Sequence, residues 1–394
     1  VAQLGEKFSA PLVAILLVMM LATVVVLTKG HVTMTGNEVT FDRAVFQACN
    51  AGTLTGLQLA TNVNDYQPRG QYWIFGLIVF SSLVSLLVGG WALVRILKLP
   101  FTDMQVLNTT LVLYLLLLVI GANFLIEEGG DMFSALFNAA SAFGNAGQWV
   151  RHLPEFTSWR THLVLLPLAF LGGLSVPVIL DLVTCPFAPR SPHPHTFAVL
   201  CGSAVLFILA VGIIFTLEWS DSVETRTAIQ LAATESMNTR TLGMPFTTFT
   251  LLSRPAQWFA LLLMLIGAAP AGTAGGLKLT TPLVLIRDSI RALRGLEVSP
   301  VLGVAVLWTL AYATVIFITT VSLVLIYPQV QSDRLLFLAI SAVGNVGSSQ
   351  EPITLTGSGL LVLGFAMLFG RLAPLAVLWW MAYANPGEVD VAVG

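Results

Sequence analysis

Four short segments, each closing on a glycine, recur along the chain and constrain its fold more than any other feature. Their cores read Ala-Cys-Asn-Ala-Gly-Thr-Leu-Thr-Gly (48–56), Ser-Ala-Phe-Gly-Asn-Ala-Gly (141–147), Ser-Met-Asn-Thr-Arg-Thr-Leu-Gly (236–243) and Ser-Ala-Val-Gly-Asn-Val-Gly (341–347). The second and fourth agree at five of seven positions, and the closing glycines Gly56, Gly147, Gly243 and Gly347 stand 91, 96 and 104 residues apart. Self-similarity at a nearly fixed spacing marks an internal repeat. Each core lies between two long apolar runs, near 10–28 and 71–98, 105–126 and 160–184, 196–218 and 255–296, 300–326 and 357–384. About 20 apolar residues cross a ~30 Å hydrocarbon layer as helix. With 56% of residues hydrophobic and only 10% charged, a water-soluble domain is excluded, and the expected fold is an all-α integral membrane protein.

The stretch before each core predicts a helix of about three turns: 41–50, 131–143, 222–237 and 331–343. Asp42, Asp131, Asp221 and Gln331 open them, as a helix N-terminus prefers. These helices are too short to span and too apolar to lie in water. A half-membrane helix followed by extended backbone is tolerated at that depth only where it is buried in protein or lines a wet cavity. The chain therefore predicts four pseudo-repeats of transmembrane helix, pore helix with filter loop, and transmembrane helix around a central pore. The repeats divide as 1–98, 99–184, 185–296 and 297–394, with filters near 53–56, 144–147, 240–243 and 344–347.

A dehydrated cation needs a ring of oxygens, which backbone carbonyls supply without fixed charge. Aiming successive carbonyls at one axis requires positive φ, which glycine reaches at no steric cost. The candidate ligands are the carbonyls of Thr53, Leu54, Thr55 and Gly56, of Gly144, Asn145, Ala146 and Gly147, of Arg240, Thr241, Leu242 and Gly243, and of Gly344, Asn345, Val346 and Gly347. Pore-helix C-termini, each carrying about half a negative charge, favour a cation in the cavity below. Acidic residues outnumber basic ones around the expected outer mouth, among them Glu38, Asp42, Glu127, Glu128, Asp131, Glu218, Asp221 and Glu224, and would concentrate cations there. Arg240 is expected to hold pore-loop carbonyls rather than to meet the ion.

Two features depart from plain hydrophobicity. The run 255–296 is interrupted by Gly267-Ala-Ala-Pro-Ala-Gly-Thr-Ala-Gly-Gly-Leu-Lys278, and proline among glycines in mid-span predicts a broken helix. Small-residue packing between helices is the competing reading. Arg371 stands near the middle of the last run, where an arginine costs at least ~2.5 kcal/mol, so it is expected to face a cavity or a partner.

Other features are expected to be structural. The run after Lys7 is too long for a signal-peptide core and no small-x-small site follows; a start at Val1 suggests a native start further upstream. Cys49, Cys185 and Cys201 lack metal or redox spacing and read as packing residues. His193 and His195 fall in a Pro-rich connector, with no carboxylate or thiol expected nearby. Asp181 and Asp288 read as interfacial residues near helix ends. No protease or hydrolase motif occurs, so the chain is not expected to be an enzyme. Basic residues divide evenly between the two sides, although Arg287, Arg291 and Arg294 with Arg95 and Lys98 fit an inner surface.

These residues resemble the Trk/Ktr/HKT superfamily of potassium transporters, and within it the bacterial Ktr membrane subunits, over nearly the whole chain. The resemblance rests on Gly-Thr-Ala-Gly-Gly-Leu-Lys (272–278), Gly-Arg-Leu-Ala-Pro-Leu (370–375), Asn-Thr-Arg-Thr-Leu-Gly (238–243), Ser-Ala-Phe-Gly-Asn-Ala-Gly (141–147) and Leu-Gly-Gly-Leu-Ser-Val-Pro-Val (171–178). It implies potassium uptake across the cytoplasmic (inner) membrane, with K+ at the filter carbonyls and Gly56, Gly147, Gly243 and Gly347 as filter glycines. Residues 268–276 would form the gating loop, with Pro270, Gly272, Thr273, Gly275, Gly276 and Lys278 as gating residues and Arg371 as a positive barrier beneath the filter. It further implies a homodimer in the lipid bilayer and a cytosolic nucleotide-binding regulatory ring, KtrA-like, with Na+ as an activator; no nucleic-acid partner and no organic cofactor are expected. Family members with glycine in all four filters usually prefer potassium, whereas some relatives with serine in the first filter favour sodium, so Gly56 suggests potassium; a sodium-selective or weakly selective transporter of the same fold is the alternative. Leu242 in place of the usual alanine, and the less polar Ala268 to Ala271, depart from the family pattern.

Overall fold

A computed structural model describes residues 4–29, 32–34, 39–59, 62–126, 130–187, 191–220, 224–247, 249–350, 355–384 and 389–393. The helices run in chain order as α1 (Leu4–Lys29), α2 (Phe41–Gly52), α3 (Pro68–Ile96), α4 (Asp103–Leu125), α5 (Met132–Gly144), α6 (Leu166–Gly173), α7 (Val176–Thr184), α8 (Pro194–Glu218), α9 (Thr225–Met237), α10 (Arg254–Met264), α11 (Thr280–Leu293), α12 (Leu302–Ile326), α13 (Ser332–Val343) and α14 (Ser358–Ala384). Among the described residues α1, α3, α4, α8, α12 and α14 are each long and apolar enough to cross a membrane unbroken. Their burial differs sharply. The apolar window of α3 is 83% buried, whereas those of α1, α8 and α12 are 22% buried. Val18, Leu21, Leu307 and Phe317 point outward, as suits helices surrounded by hydrocarbon.

The short helices α2, α5, α9 and α13 pack between the long ones, and the units meet in a closed order: α3 touches α5, α6 touches α9, α10 touches α13, and α14 returns to α2 and α3. Sequence bounds for the short helices hold within a few residues. Their caps differ from expectation. Asp131 caps α5 by accepting from Ser134 N, whereas Gln331 makes no side-chain cap and Asp42 instead accepts from Gly357 N at 2.7 Å. Asp221 and Ser222 lie outside the described residues.

Two spans are not straight. The run 255–296 breaks between Met264 and Thr280. The run 160–184, expected as one continuous helix, bends by 99° between Gly173 and Val176. Two glycines end the first half, and Ser175 followed by Pro177 starts the second, with proline placed in the first turn where its missing N–H costs nothing. Asp181 and Asp288 have buried side chains, accepting from His193 N (2.8 Å) and Ser299 N (3.2 Å) respectively. A carboxylate thus does stand beside the histidine pair; His195 is buried and its Nδ1 accepts from Ala392 N. No group of three or more metal-ligating side chains occurs among the described residues.

Candidate functional site

The four glycine loops converge. A Cβ on Gly56 would meet Ala146 O (2.6 Å), one on Gly147 would meet Gly243 O (2.8 Å), one on Gly243 would overlap Val346 O, and one on Gly347 would overlap Thr55 O. Each glycine therefore faces the backbone carbonyl of another loop, and only a residue without Cβ permits so close an approach. All four have positive φ, at 85°, 63°, 66° and 88°.

Three of the loops share one conformation. Leu54, Asn145 and Asn345, each two residues before its glycine, are also left-handed, at 56°, 52° and 48°. The intervening amides bond back alike: Thr55 N to Asn50 O (3.0 Å), Ala146 N to Ser141 O (2.8 Å) and Val346 N to Ser341 O (2.8 Å). The third loop differs: a π-helical turn, Asn238–Leu242, precedes its glycine, and Gly243 reaches the same left-handed position.

Side chains hold the loops from behind. Asn345 Nδ2 donates to Met367 O and to Thr55 Oγ1, both at 2.9 Å. Asn145 Nδ2 donates to Ala169 O (3.0 Å) and to Thr273 Oγ1 (2.9 Å). Thr53 and Thr55 share a hydroxyl contact of 2.6 Å. Arg240 departs from expectation: its hydrogen bond goes to Ser203 O of α8 at 3.5 Å and not to a pore-loop carbonyl.

Beneath the loops lies the segment that interrupts α10 and α11. It closes on itself through Gly267 N to Leu277 O (2.8 Å) and Leu279 N to Ala268 O (3.0 Å). It is tied to the bend after α6 by Ala269 N to Gly173 O (3.2 Å) and Thr273 N to Gly172 O (2.9 Å). The bend thus frees the carbonyls that hold this segment. Thr273 Oγ1 donates to Phe143 O at 3.1 Å, and a Cβ on Gly275 would overlap Gly344 O. Arg371, 4% exposed, spans loop and segment: its Nε donates to Thr53 O (2.7 Å) and its Nη1 to Thr273 O (2.6 Å). Lys278 Nζ donates to Ala274 O at 2.5 Å. Of the gating residues expected from resemblance, Thr273, Gly275 and Arg371 touch the glycine loops directly.

The expected acidic mouth is only partly visible. Glu38, Glu127, Glu128 and Asp221 lie outside the described residues. Asp131 pairs with Arg151 at 3.2 Å and Glu218 accepts from Ser253 N at 2.9 Å, so both serve local structure. Sequence reasoning missed Gln58, whose Nε2 donates to Gly147 O at 3.3 Å across two loops; its place two residues after Gly56 was the available signal.

No family profile matches the chain. Ktr system potassium uptake protein B of Bacillus subtilis is 26% identical over 389 residues, covering 88% of this chain and 87% of that protein. The protein of the same name from Vibrio alginolyticus is 28% identical over 273 residues, covering 65% of this chain and 60% of that one. Among solved structures, the potassium transporter TrkH from Vibrio parahaemolyticus superposes with a TM-score of 0.68 at 17% identity, covering 94% of this chain and 85% of its own. Four-unit architecture, apolar helices and these likenesses agree: the chain has the multi-pass helical membrane fold of TrkH and is similar over most of its length to the Ktr potassium uptake protein of Bacillus subtilis.

Proposed function

We propose that the chain takes up potassium ions through the ring of its four glycine loops. The observation that carries this reading is that each ring glycine stands against a backbone carbonyl of another loop, so the four loops bring together carbonyl oxygens, the ligands suited to a dehydrated monovalent cation. The names of the curated relatives, potassium uptake proteins, point the same way. In this reading the filter comprises residues 53–56, 144–147, 240–243 and 344–347, one from each of the repeats 1–98, 99–184, 185–296 and 297–394. The segment 268–276 is the gate, held closed under the ring by Thr273 and Arg371, and the Arg371 guanidinium adds a positive barrier. The chain works as a homodimer under a KtrA-like cytosolic nucleotide-binding ring, with Na+ as activator.

Flux through purified protein in liposomes tests the reading by ion replacement. Potassium is expected to be preferred over sodium, and Gly56→Ser to weaken that preference. Equal fluxes of the two ions, or sodium preference, would favour the alternative of a sodium-selective or weakly selective transporter. Unchanged selectivity in Gly56→Ser would overturn the filter assignment. Shortening the 268–275 segment is expected to raise flux, and an unaltered rate would remove its gating role.

A further inference from the structure

Helix α9, which leads into the third loop, carries a fully buried carboxylate. Glu235 Oε1 accepts from Thr247 Oγ1 at 2.5 Å, while Oε2 has no hydrogen-bond partner. Among the described residues no cationic side chain pairs with it, since Arg240 turns to Ser203 O. A buried carboxylate without counter-charge is costly unless something else completes it.

What lies beside it suggests what does. Asn238, one turn further on the same helical face, and Thr247, which holds Glu235 from the cavity side, line a cavity of ≈ 50 Å³ with Gln58, Ser348, the backbone of Gly243 and Gly347 and the apolar Met244, Pro245 and Phe249; Glu235 stands behind this lining rather than in it. Asn238 Oδ1 and Ser348 Oγ are buried and, like Glu235 Oε2, have no partner. The unmet atoms are thus oxygens able to accept or to ligate. A polar cavity holds water at about 30 Å³ per molecule, so this one has room for an ion with part of its hydration shell. Hard oxygen ligands with a single negative charge suit a monovalent cation; a divalent ion demands more charge or a full octahedron.

We propose that this cavity is a binding station for a partly hydrated monovalent cation, with Glu235 supplying the counter-charge and the oxygens of Asn238 and Ser348 the neutral ligands. It lies beside the ring, fed from the third loop's scaffold rather than from the stacked carbonyls. The station rests on the ring being a cation path, and it raises the local cation concentration at the ring.

Rubidium influx into liposomes containing the full chain, measured at graded external rubidium, tests the station. Glu235→Gln keeps the size and an acceptor for Thr247, so it removes the charge and preserves the pinning of the loop. The half-saturating concentration is expected to rise about tenfold, with the maximal rate and the potassium-over-sodium ratio kept. Glu235→Asp is expected to restore most of the affinity, and Ser348→Ala to raise the half-saturating concentration about threefold. Wild-type concentration dependence in Glu235→Gln and Ser348→Ala would overturn the station while leaving the ring intact. If Glu235→Gln gives no monodisperse protein, Ser348→Ala decides alone. Absence of rubidium influx in the wild type would instead overturn the reading of the ring, and the station with it.

Discussion

The second and fourth loops are nearly the same sequence and nearly the same backbone, yet they are wired to different neighbours. Both present an asparagine in the left-handed region two residues before the glycine, and both asparagines donate to a carbonyl of the following helix, Ala169 or Met367. Their second donation differs. Asn345 reaches Thr55 of the first loop, joining loop to loop, whereas Asn145 reaches Thr273, joining a loop to the intramembrane segment. The repeat therefore fixes the geometry of the ring, and a single change of acceptor gives one side of it a connection to the segment below. The third loop extends the lesson: it keeps the glycine position but replaces the asparagine device with a π-helical turn.

The harshest way to break the comparison is to fill the ring itself. Gly347→Ala places a methyl on Thr55 O at a φ of 88°, and strain with overpacking is expected to cost on the order of 3 kcal/mol. A monodisperse, wild-type-stable Gly347→Ala protein in size-exclusion and thermal-melt assays would show that the loops are not in contact. Arg371→Met comes next, because it leaves Thr53 O and Thr273 O without their shared donor. A loss of about 2 kcal/mol is expected in the thermal melt, together with increased flux as the segment is released. The sharpest comparison pairs Thr273→Val with Thr55→Val. Each removes a hydroxyl acceptor for one asparagine amide at about 1 kcal/mol, but Thr273→Val is expected to raise flux with selectivity kept, and Thr55→Val to alter the potassium-over-sodium ratio. Identical phenotypes would erase the distinction between the two loops.

The smallest effect concerns Asp131, which caps α5. Its hydrogen bond from the Ser134 side chain, followed by the Ser134 backbone amide and the charge of Arg151, outweighs partial burial and holds its carboxyl below the usual carboxylate range. A depressed folded-state pKa means the cap contributes fully above the ordinary carboxylate range and is lost as pH falls through the folded value. Asp131→Asn is expected to lower stability near neutral pH by about 0.5 kcal/mol, small because the group is partly exposed, and the gap from wild type is expected to close in acid. A gap that persists unchanged in acid would remove the charge from the explanation.

Much of this architecture was legible because it depends on local chemistry. Glycines in register, apolar runs of spanning length and Pro270 among glycines all announce backbone behaviour that the residues impose wherever they stand. Partnerships were not legible. Arg240 and Arg371 look alike as isolated arginines in apolar surroundings, but one bonds α8 and the other joins loop to segment. The 99° bend was written in Gly172, Gly173, Ser175 and Pro177, yet hydropathy averaged over the run conceals it. The burial of Asp181 and Asp288 was not legible, because proximity to a helix end says nothing of whether a chain segment folds over it.

Between Gly267 and Gly276 the intramembrane segment carries no side chain larger than proline or threonine. What fixes it is directional: backbone amides to Gly172 and Gly173, a hydroxyl, and a guanidinium. Moving it would break these polar bonds while uncovering little hydrocarbon of its own, the methyls of buried alanines such as Ala269, Ala271 and Ala274. Heat capacity tracks apolar exposure, so such a displacement would have a small heat-capacity change, and its rate would curve less in an Arrhenius plot than a step that uncovers a large apolar surface.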